Sequence, residues 1–536
     1  MRNPFAANED RSDAPREIFG YRIYLLALSA TWASSMYGYD SAFIGGTLAL
    51  PSFKHSYGLD TVGKTELLDL SSNIVSTFQG GAFFGAIFGF FLSEKFGRKP
   101  IIMVSGVVFS LGAVLQLIGK IGLLYAGRAL TGLGIGASAT IIPIYISECS
   151  PASIRGRMVG FFEIMLQIAL VFGFWVNYGV NKNISATNPA QWRIPVGIQL
   201  IPAGLLLCFM PFMIESPRWL LSKNKMEQAR KSLSWVRNLP QDHEYLDREL
   251  TEMAAGVNHE LELTGVGMGK SQMLREIIRP GIRNRVILSV LLMLLQNLTG
   301  INAVNYYSPI IFKAIGISGT SVGLLATGVY GLVKMVTTVI FMVFIVDTVG
   351  RRISLLVGSV GAAFAMFYLG IYSKVSGSFN HTPPRDAGAN GAIAMVYIYA
   401  VFYGFSWNGI PWIISSEILP TRVRTLGMMC AVCMQWLAQF MVVYSLPHMV
   451  ASITYGIFFF FGACTVVAMV FAYLFVPETK GVSLEDMDLL FDKDSSVWAK
   501  NSYKKYKELK EAGLNATTIH AAQVKETTQV VELEHI

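Results

Sequence analysis

The sequence predicts an all-α membrane protein with twelve transmembrane helices in two six-helix bundles. Three observations predict it: a composition unsuited to water, twelve apolar runs of spanning length in two sets of six, and basic residues confined to alternate connections. Of 536 residues, 53% are apolar and only 15% charged, whereas a soluble domain carries about 25% charged residues. Fifty glycines suit helices that pack closely in lipid, where small residues let backbones approach. The formal charge of +8 sits in short segments between apolar runs, so it reads as topology and not as a nucleic-acid surface.

Windows of about nineteen residues find apolar runs at 23–46, 73–93, 100–119, 121–146, 158–180 and 194–214. After a polar segment they resume at 286–313, 321–346, 353–373, 391–417, 425–445 and 451–476. The chain therefore divides into a tail (1–22), an N-terminal bundle (23–214), a linker with short amphipathic helices such as 226–236 (215–285), a C-terminal bundle (286–476) and a second tail (477–536). The first tail has no apolar signal-peptide core. Basic residues cluster at Lys95, Arg98 and Lys99, at Arg155 and Arg157, in the linker, at Arg351 and Arg352, and at Arg422 and Arg424. The positive-inside bias puts linker and both termini in the cytoplasm. An opposite loop holds Asn183-Ile184-Ser185, an N-glycosylation acceptor pattern.

Five cysteines, Cys149, Cys208, Cys430, Cys433 and Cys464, lie in or beside apolar runs without zinc-like pairing. They read as small packing residues. With no metal or nucleophile constellation either, an enzyme is not expected, and no cofactor.

The halves repeat a motif as well as a helix count. Glu94-Lys95-Phe96-Gly97-Arg98-Lys99 follows the second run and Asp347-Thr348-Val349-Gly350-Arg351-Arg352 follows the eighth. Glu148 precedes Arg155 by seven residues, and Glu417 precedes Arg424 by seven. The halves end in Glu215-Ser216-Pro217-Arg218 and Pro477-Glu478-Thr479-Lys480-Gly481. An acid beside a glycine–arginine turn, used twice, is a device for ion pairs between helices. Positive-inside bias accounts for the arginines but not for their duplicated spacing.

With Gly38-Tyr39-Asp40, Gly127-Arg128, Pro143-Ile144-Tyr145-Ile146-Ser147-Glu148 and Gln296 with Gly300-Ile301-Asn302, these motifs resemble the major facilitator superfamily and its sugar porters, from Tyr21 to about Asp488. More narrowly, Tyr39-Asp40-Ser41-Ala42-Phe43-Ile44-Gly45, Gly173-Phe174-Trp175-Val176-Asn177-Tyr178-Gly179, Asn305-Tyr306-Tyr307-Ser308-Pro309 and Ser406-Trp407-Asn408-Gly409 resemble the fungal quinate-permease branch, whose relatives include pentose and hexose carriers. One departure stands in the first basic turn, where the family's leading glycine falls on Phe90 and Gly89 is one residue early.

Ionisable groups deep in a span are costly and mark function; the sequence offers Asp40, Arg128, Glu163 and Lys334. The resemblance implies that Asp40 and Arg128 form a proton-coupling pair. It implies solute contacts at Tyr37, Gln296, Asn297, Asn302, Asn305, Trp412, Gln435 and Trp436. Side-chain amides, which donate and accept, suit a polyol. Glu163 replaces a glutamine common in sugar porters, and Lys334 lies near a position where relatives hold an amide. The two either pair with each other or meet the substrate, Lys334 then attracting a carboxylate. Glu163→Gln is expected to shift preference toward neutral hexoses or pentoses. Tyr306 and Tyr307 fall at gating positions. Glu94, Arg98, Glu148, Arg155, Glu215, Asp347, Arg351, Glu417, Arg424 and Glu478 fall where the family forms cytoplasmic latches.

The leading expectation is thus a proton-coupled symporter of a small polyhydroxylated solute, a monosaccharide first, with quinate or a galacturonate-type sugar acid as the alternative. An uncoupled facilitator and a non-transporting sugar sensor are the further alternatives. The expected setting is the lipid bilayer of the plasma membrane, with the chain acting as a monomer on substrate and protons.

Overall fold

The computed structural model describes residues 15–151, 154–264, 277–279, 281–314, 319–379, 381, 386–480, 487–491, 498, 499 and 508. The first half comprises α1 (Tyr21–Ala49), α2 (Lys64–Phe96), α3 (Arg98–Gln116), α4 (Ile121–Cys149), α5 (Arg155–Asn183) and α6 (Ala190–Phe212). The linker folds into α7 (Pro217–Ser222), α8 (Met226–Arg237) and α9 (Glu244–Thr264). The second half comprises α10 (Ile282–Leu298), α11 (Ile301–Ala314), α12 (Thr320–Ile340), α13 (Arg351–Ser376), α14 (Ala387–Gly404), α15 (Ile410–Ile418), α16 (Thr421–Ile453) and α17 (Gly456–Phe475).

Among the described residues ten helices are long and apolar enough to cross a membrane, and the bent pair α10–α11 makes eleven. The expected twelfth, α1, has the length at 29 residues. It falls short in hydropathy because it buries a polar series, Ser29, Thr31, Ser34, Ser35, Asp40, Ser41 and Thr47, inside the protein. That is the pattern of a helix facing its bundle and not lipid.

Glycines set the closest helix pair. A Cβ at Gly81, Gly85 or Gly89 of α2 would strike α4 backbone at Ala129, Leu133 or Ala137. In return, Gly132 and Gly136 of α4 abut Phe78 and Ala82 of α2. Two interlocked four-residue stripes bring the backbones together, as packing in lipid favours. The early glycine of the first basic turn, Gly89, belongs to this stripe, so the departure keeps the contact one residue away from the family's position.

Two breaks matter for the site. Between α10 and α11 the axis turns by 46° at Gly300, whose φ of +95° glycine adopts without strain. Irregular backbone at membrane depth needs partners, and the Thr299 carbonyl obtains one from the Tyr399 hydroxyl at 3.1 Å. The tenth apolar run, continuous in the sequence, is divided at residues 405–409. There the Asn408 N–H returns to the Tyr403 carbonyl at 3.1 Å, and Trp407 Nε1 donates to Ser359 Oγ at 2.8 Å.

The linker packs under the first half. Arg237 is fully buried, pairing with Glu249 at 2.7 Å and donating to the Cys149 carbonyl at 2.8 Å. From α1, Arg22 donates to the Trp235 carbonyl at 3.2 Å.

Candidate functional site

A cavity lies between the halves. Tyr37 and Ser41 reach it from α1, Glu163 and Gln167 from α5, Gln296 and Asn297 from α10, and Asn302 and Asn305 from α11. Lys334 comes from α12, Tyr403 and Asn408 from the broken tenth span, Trp412 from α15, and Gln435, Trp436 and Gln439 from α16. Every residue expected at the solute site therefore faces one space. The bends explain much of this: the 46° turn presents α10 and α11 side chains together, and the 405–409 break turns Asn408 inward.

The lining is hydrogen-bonded on one side and open on the other. Asn297 Nδ2 donates to Gln435 Oε1 at 2.9 Å, and Asn297 Oδ1 accepts from Asn302 Nδ2. Gln296 Nε2 donates to the carbonyls of Trp407 at 2.7 Å and Asn408 at 3.1 Å. Glu163 Oε1 accepts from Gln167 Nε2 and, across the halves, from Asn408 Nδ2, each at 2.7 Å. Yet Gln296 Oε1, Gln167 Oε1, Gln439 Oε1 and Trp436 Nε1 are buried without partners. Such groups are costly to leave unmet, and three acceptors with one donor suit the hydroxyls of a polyol.

Lys334 is 2% exposed and has no carboxylate within ion-pair distance among the described residues. The direct Glu163–Lys334 bridge, one of the two expected arrangements, is thus not formed. The Lys334 ammonium instead lies 5.6 Å from the Tyr403 ring centroid, a cation–π contact. Glu163 has taken the two amides as its partners.

Asp40 and Arg128 form an ion pair with both side chains wholly buried. Arg128 Nε also donates to the Ile74 carbonyl at 3.2 Å, and its guanidinium sits 4.7 Å from the Phe78 ring. Asp40 Oδ2 and Arg128 Nη2 have no hydrogen-bond partner. A buried pair is held by its Coulomb attraction against a large desolvation cost, so it is sensitive to loss of either charge.

The basic turns repeat an arginine–glutamate pair and a capping carboxylate. Arg98 donates to Glu148 at 3.1 and 3.2 Å and to Glu94 at 2.8 Å, while Arg351 donates to Glu417 at 3.0 Å. Glu215 accepts the Arg98 N–H at 3.1 Å and the Lys99 N–H at 3.2 Å. Glu478 accepts those of Arg351 at 2.9 Å and Arg352 at 3.1 Å. Each carboxylate thereby caps the N-terminus of the next span. Burial raises the Glu215 carboxyl above its ordinary value, opposed by the N–H groups of Ser216, Lys99 and Arg98. Even the next hydroxyls correspond: Ser216 donates to Glu148 at 2.5 Å and Thr479 to Glu417 at 2.7 Å.

These arginine–glutamate pairs each lie inside one half. Arg155 sits among Arg218, Arg237 and Glu249, and Arg424 Nε donates to the Leu419 carbonyl at 3.2 Å. The Asp347 side chain lies outside the described residues. Bonds between the halves at their outer ends stand on the opposite face, where Asn181 donates to Ser321 at 2.8 Å and His448 meets Asp69 at 3.4 Å. Tyr307 donates to the Val443 carbonyl at 3.2 Å and, like Tyr306, stands behind the cavity wall.

Gln167, Asn408, Tyr403 and Gln439 were not assigned to the site from sequence. Gln167 and Gln439 follow Glu163 and Gln435 by four residues, so helical periodicity carried a signal for them.

The family model for the sugar (and other) transporters matches residues 26–491. The chain is 43% identical over 495 residues to a probable quinate permease of Aspergillus fumigatus, covering 91% of each. It is 42% identical to the quinate permease of Emericella nidulans, covering 92% of each. Among solved structures it is similar to the proton:xylose symporter XylE bound to 6-bromo-6-deoxy-D-glucose, with TM-score 0.73, 27% identity and coverage of 88% of this chain and 99% of that one. It is also similar to the inward-open xylose transporter XylE of E. coli, with TM-score 0.69, 26% identity and coverage of 88% and 100%. On the family match and these identities, the chain belongs to the sugar porters of the major facilitator superfamily and is a multi-pass membrane transporter, not an enzyme.

Proposed function

We propose that this transporter imports a small polyhydroxylated carboxylate of the quinate class together with a proton. The observation that carries the reading is Lys334, a buried cation that faces the cavity without a carboxylate partner. Beside it stand amide oxygens and an indole N–H that have no partner. A charged lysine in a low-dielectric site is costly unless an anion meets it. A substrate carboxylate at Lys334, with ring hydroxyls on Gln296, Gln439 and Trp436, would satisfy both sets. A neutral pentose or hexose would satisfy only the second, so the monosaccharide expectation gives way to its acidic alternative, in line with the quinate permeases among the relatives.

Proton coupling rests on Asp40 and Arg128, with the XylE proton symporter as the parallel. Protonating Asp40 removes the attraction that ties Arg128 of α4 to α1, leaving the arginine with a carbonyl and aromatic rings. Breaking a buried pair in this way is worth about 3–5 kcal/mol, enough to bias a two-state transporter. The halves then rock about the cavity, exchanging contacts such as Asn181–Ser321 and His448–Asp69 on one face for closure at the basic turns on the other. A plasma-membrane location, cytoplasmic termini and action as a monomer complete the proposal.

The test is uptake of quinate, galacturonate, xylose and glucose in a transporter-deficient cell at two external pH values. Quinate uptake that rises on acidification and is competed by galacturonate but not by xylose is expected. Xylose or glucose uptake exceeding quinate uptake at both pH values overturns the acid-substrate reading. Quinate uptake indifferent to pH and to a protonophore overturns coupling.

A further inference from the structure

The ion pair and the cavity do not touch. Asp40 bonds only Arg128, and Arg128 otherwise bonds the Ile74 carbonyl; none of the three lines the cavity. A group that touches both can carry the influence of one to the other. Tyr306 occupies that position, fully buried on α11. Its hydroxyl donates to Ser41 Oγ at 3.1 Å, on the residue that follows Asp40, and accepts from Gln439 Nε2 at 2.9 Å. Ser41 and Gln439 both line the cavity.

We propose that the Tyr306 hydroxyl is the positioning group through which the charge state of Asp40 is felt at the substrate, a role that rests on the proton-coupling reading above. Two further observations support it. A Cβ at Gly45 would lie 2.1 Å from the Tyr306 carbonyl oxygen, so α1 and α11 meet backbone to backbone one turn beyond Asp40. Displacement of the helix that bears the acid is therefore passed to the helix that bears Asn302 and Asn305. The hydroxyl also has a second acceptor within reach: with the Gln79 amide turned so that its nitrogen serves Ser76 and Val75, its oxygen lies 3.3 Å from Tyr306.

The physical step is a choice between acceptors. With Asp40 ionised, the pair fixes this part of α1, and Tyr306 is held between Ser41 and Gln439. With Asp40 neutral, Ser41 shifts, the phenol O–H turns to Gln79, and Gln439, whose Nε2 donates to the phenol oxygen, moves with it and is presented differently to a substrate hydroxyl. Arg128 from α4, Tyr39 from α1 itself and Tyr306 from α11 are the charged or titratable groups acting on Asp40. Glu163 from α5 acts on Tyr37 and Tyr403 instead.

The test measures quinate Kd on the purified full-length chain at an acidic and a near-neutral pH, for wild type, D40N, Y306F and S41A. Wild type should bind more tightly in acid, by a ratio in the range of about 5- to 100-fold that allosteric coupling spans. D40N should abolish the ratio, and Y306F, which removes one oxygen and keeps the ring, should reduce it to the D40N value. Weaker binding with the ratio intact in Y306F makes Tyr306 merely structural and overturns the proposal. If Y306F does not fold, S41A decides by the same criterion, since it removes the phenol's acceptor. A ratio lost in D40N but kept in Y306F removes only the link. A ratio absent in wild type, or surviving in D40N, removes coupling through Asp40 and the link with it.

Discussion

At the basic turn of the first half, Gly97 has φ +104° and ψ 166°, and Glu215 closes over it; in the second half, Gly350 has φ +97° and ψ 161°, and Glu478 does the same. The central cavity repeats nothing of this kind. It takes its amides mainly from α10, α11 and α16 and its two separate charges from α5 and α12, while the buried ion pair that joins α1 and α4 lies apart from it. Symmetry has been kept where two bundles must end and brace themselves alike. It has been lost where, on the proposed function, one proton and one asymmetric solute are handled. Substitutions in the cavity should therefore alter chemistry selectively, while paired substitutions in the turns should act alike on stability.

The largest effect is expected at the ion pair. Asp40→Asn keeps the shape and removes the charge, mimicking the protonated state permanently. Accumulation against a gradient should be abolished, with the internal concentration no longer exceeding the external one, while some exchange of external for internal substrate persists. Measuring steady-state accumulation beside counterflow checks this, and unimpaired concentrative uptake would release Asp40 from the coupling role.

Next comes Lys334→Met. A charge-assisted hydrogen bond is worth about 1.5–3 kcal/mol, so quinate should bind roughly tenfold to a hundredfold more weakly. Neutral sugars, if carried at all, should be little affected. An equal loss for acidic and neutral substrates in competition assays would make Lys334 a packing residue.

Glu163→Gln is smaller and cleaner than the sequence suggested. Both amides that Glu163 accepts from meet one oxygen, Oε1, so glutamine can keep both bonds and the variant tests charge alone. Because Lys334 is not bridged to Glu163, removing the negative charge should strengthen binding of an anion instead of favouring neutral sugars. At an effective dielectric near 20, a charge about 8–16 Å away is worth about 1–2 kcal/mol, or roughly fivefold to thirtyfold in quinate affinity. Unchanged quinate affinity would show that Glu163 stands outside the substrate's field.

Much of this was legible in the sequence because the costs are large. Asp40 and Arg128 in apolar runs, the repeated glycine–arginine turns and the amides around Gly300 are expensive or conformationally special wherever they occur. The remainder depended on geometry that local pattern does not encode. Asn408 and Tyr403 reach the cavity because the tenth run breaks at 405–409, and an uninterrupted apolar stretch hides that break. The choice between a Glu163–Lys334 bridge and two separate partners turned on which groups Gln167 and Asn408 could reach. The polarity of α1 likewise follows from what surrounds it, since its serines bond back to their own helix.

The smallest effect on transport probes the symmetric side of the comparison. Gly97 and Gly350 both lie in a backbone region that is essentially reserved for glycine. A Cβ there would stand 2.4 Å from the nearest Glu215 carboxylate oxygen in the first turn and 2.7 Å from that of Glu478 in the second. Gly97→Ala and Gly350→Ala should each cost about 1–3 kcal/mol through strain and through a displaced helix-capping carboxylate. Thermal unfolding of the two purified variants should show similar falls in Tm, with quinate selectivity over neutral sugars unchanged in both. If one alanine destabilises and its counterpart does not, the two turns are alike in geometry but not in load, and the bundles do not bear the rocking motion equally.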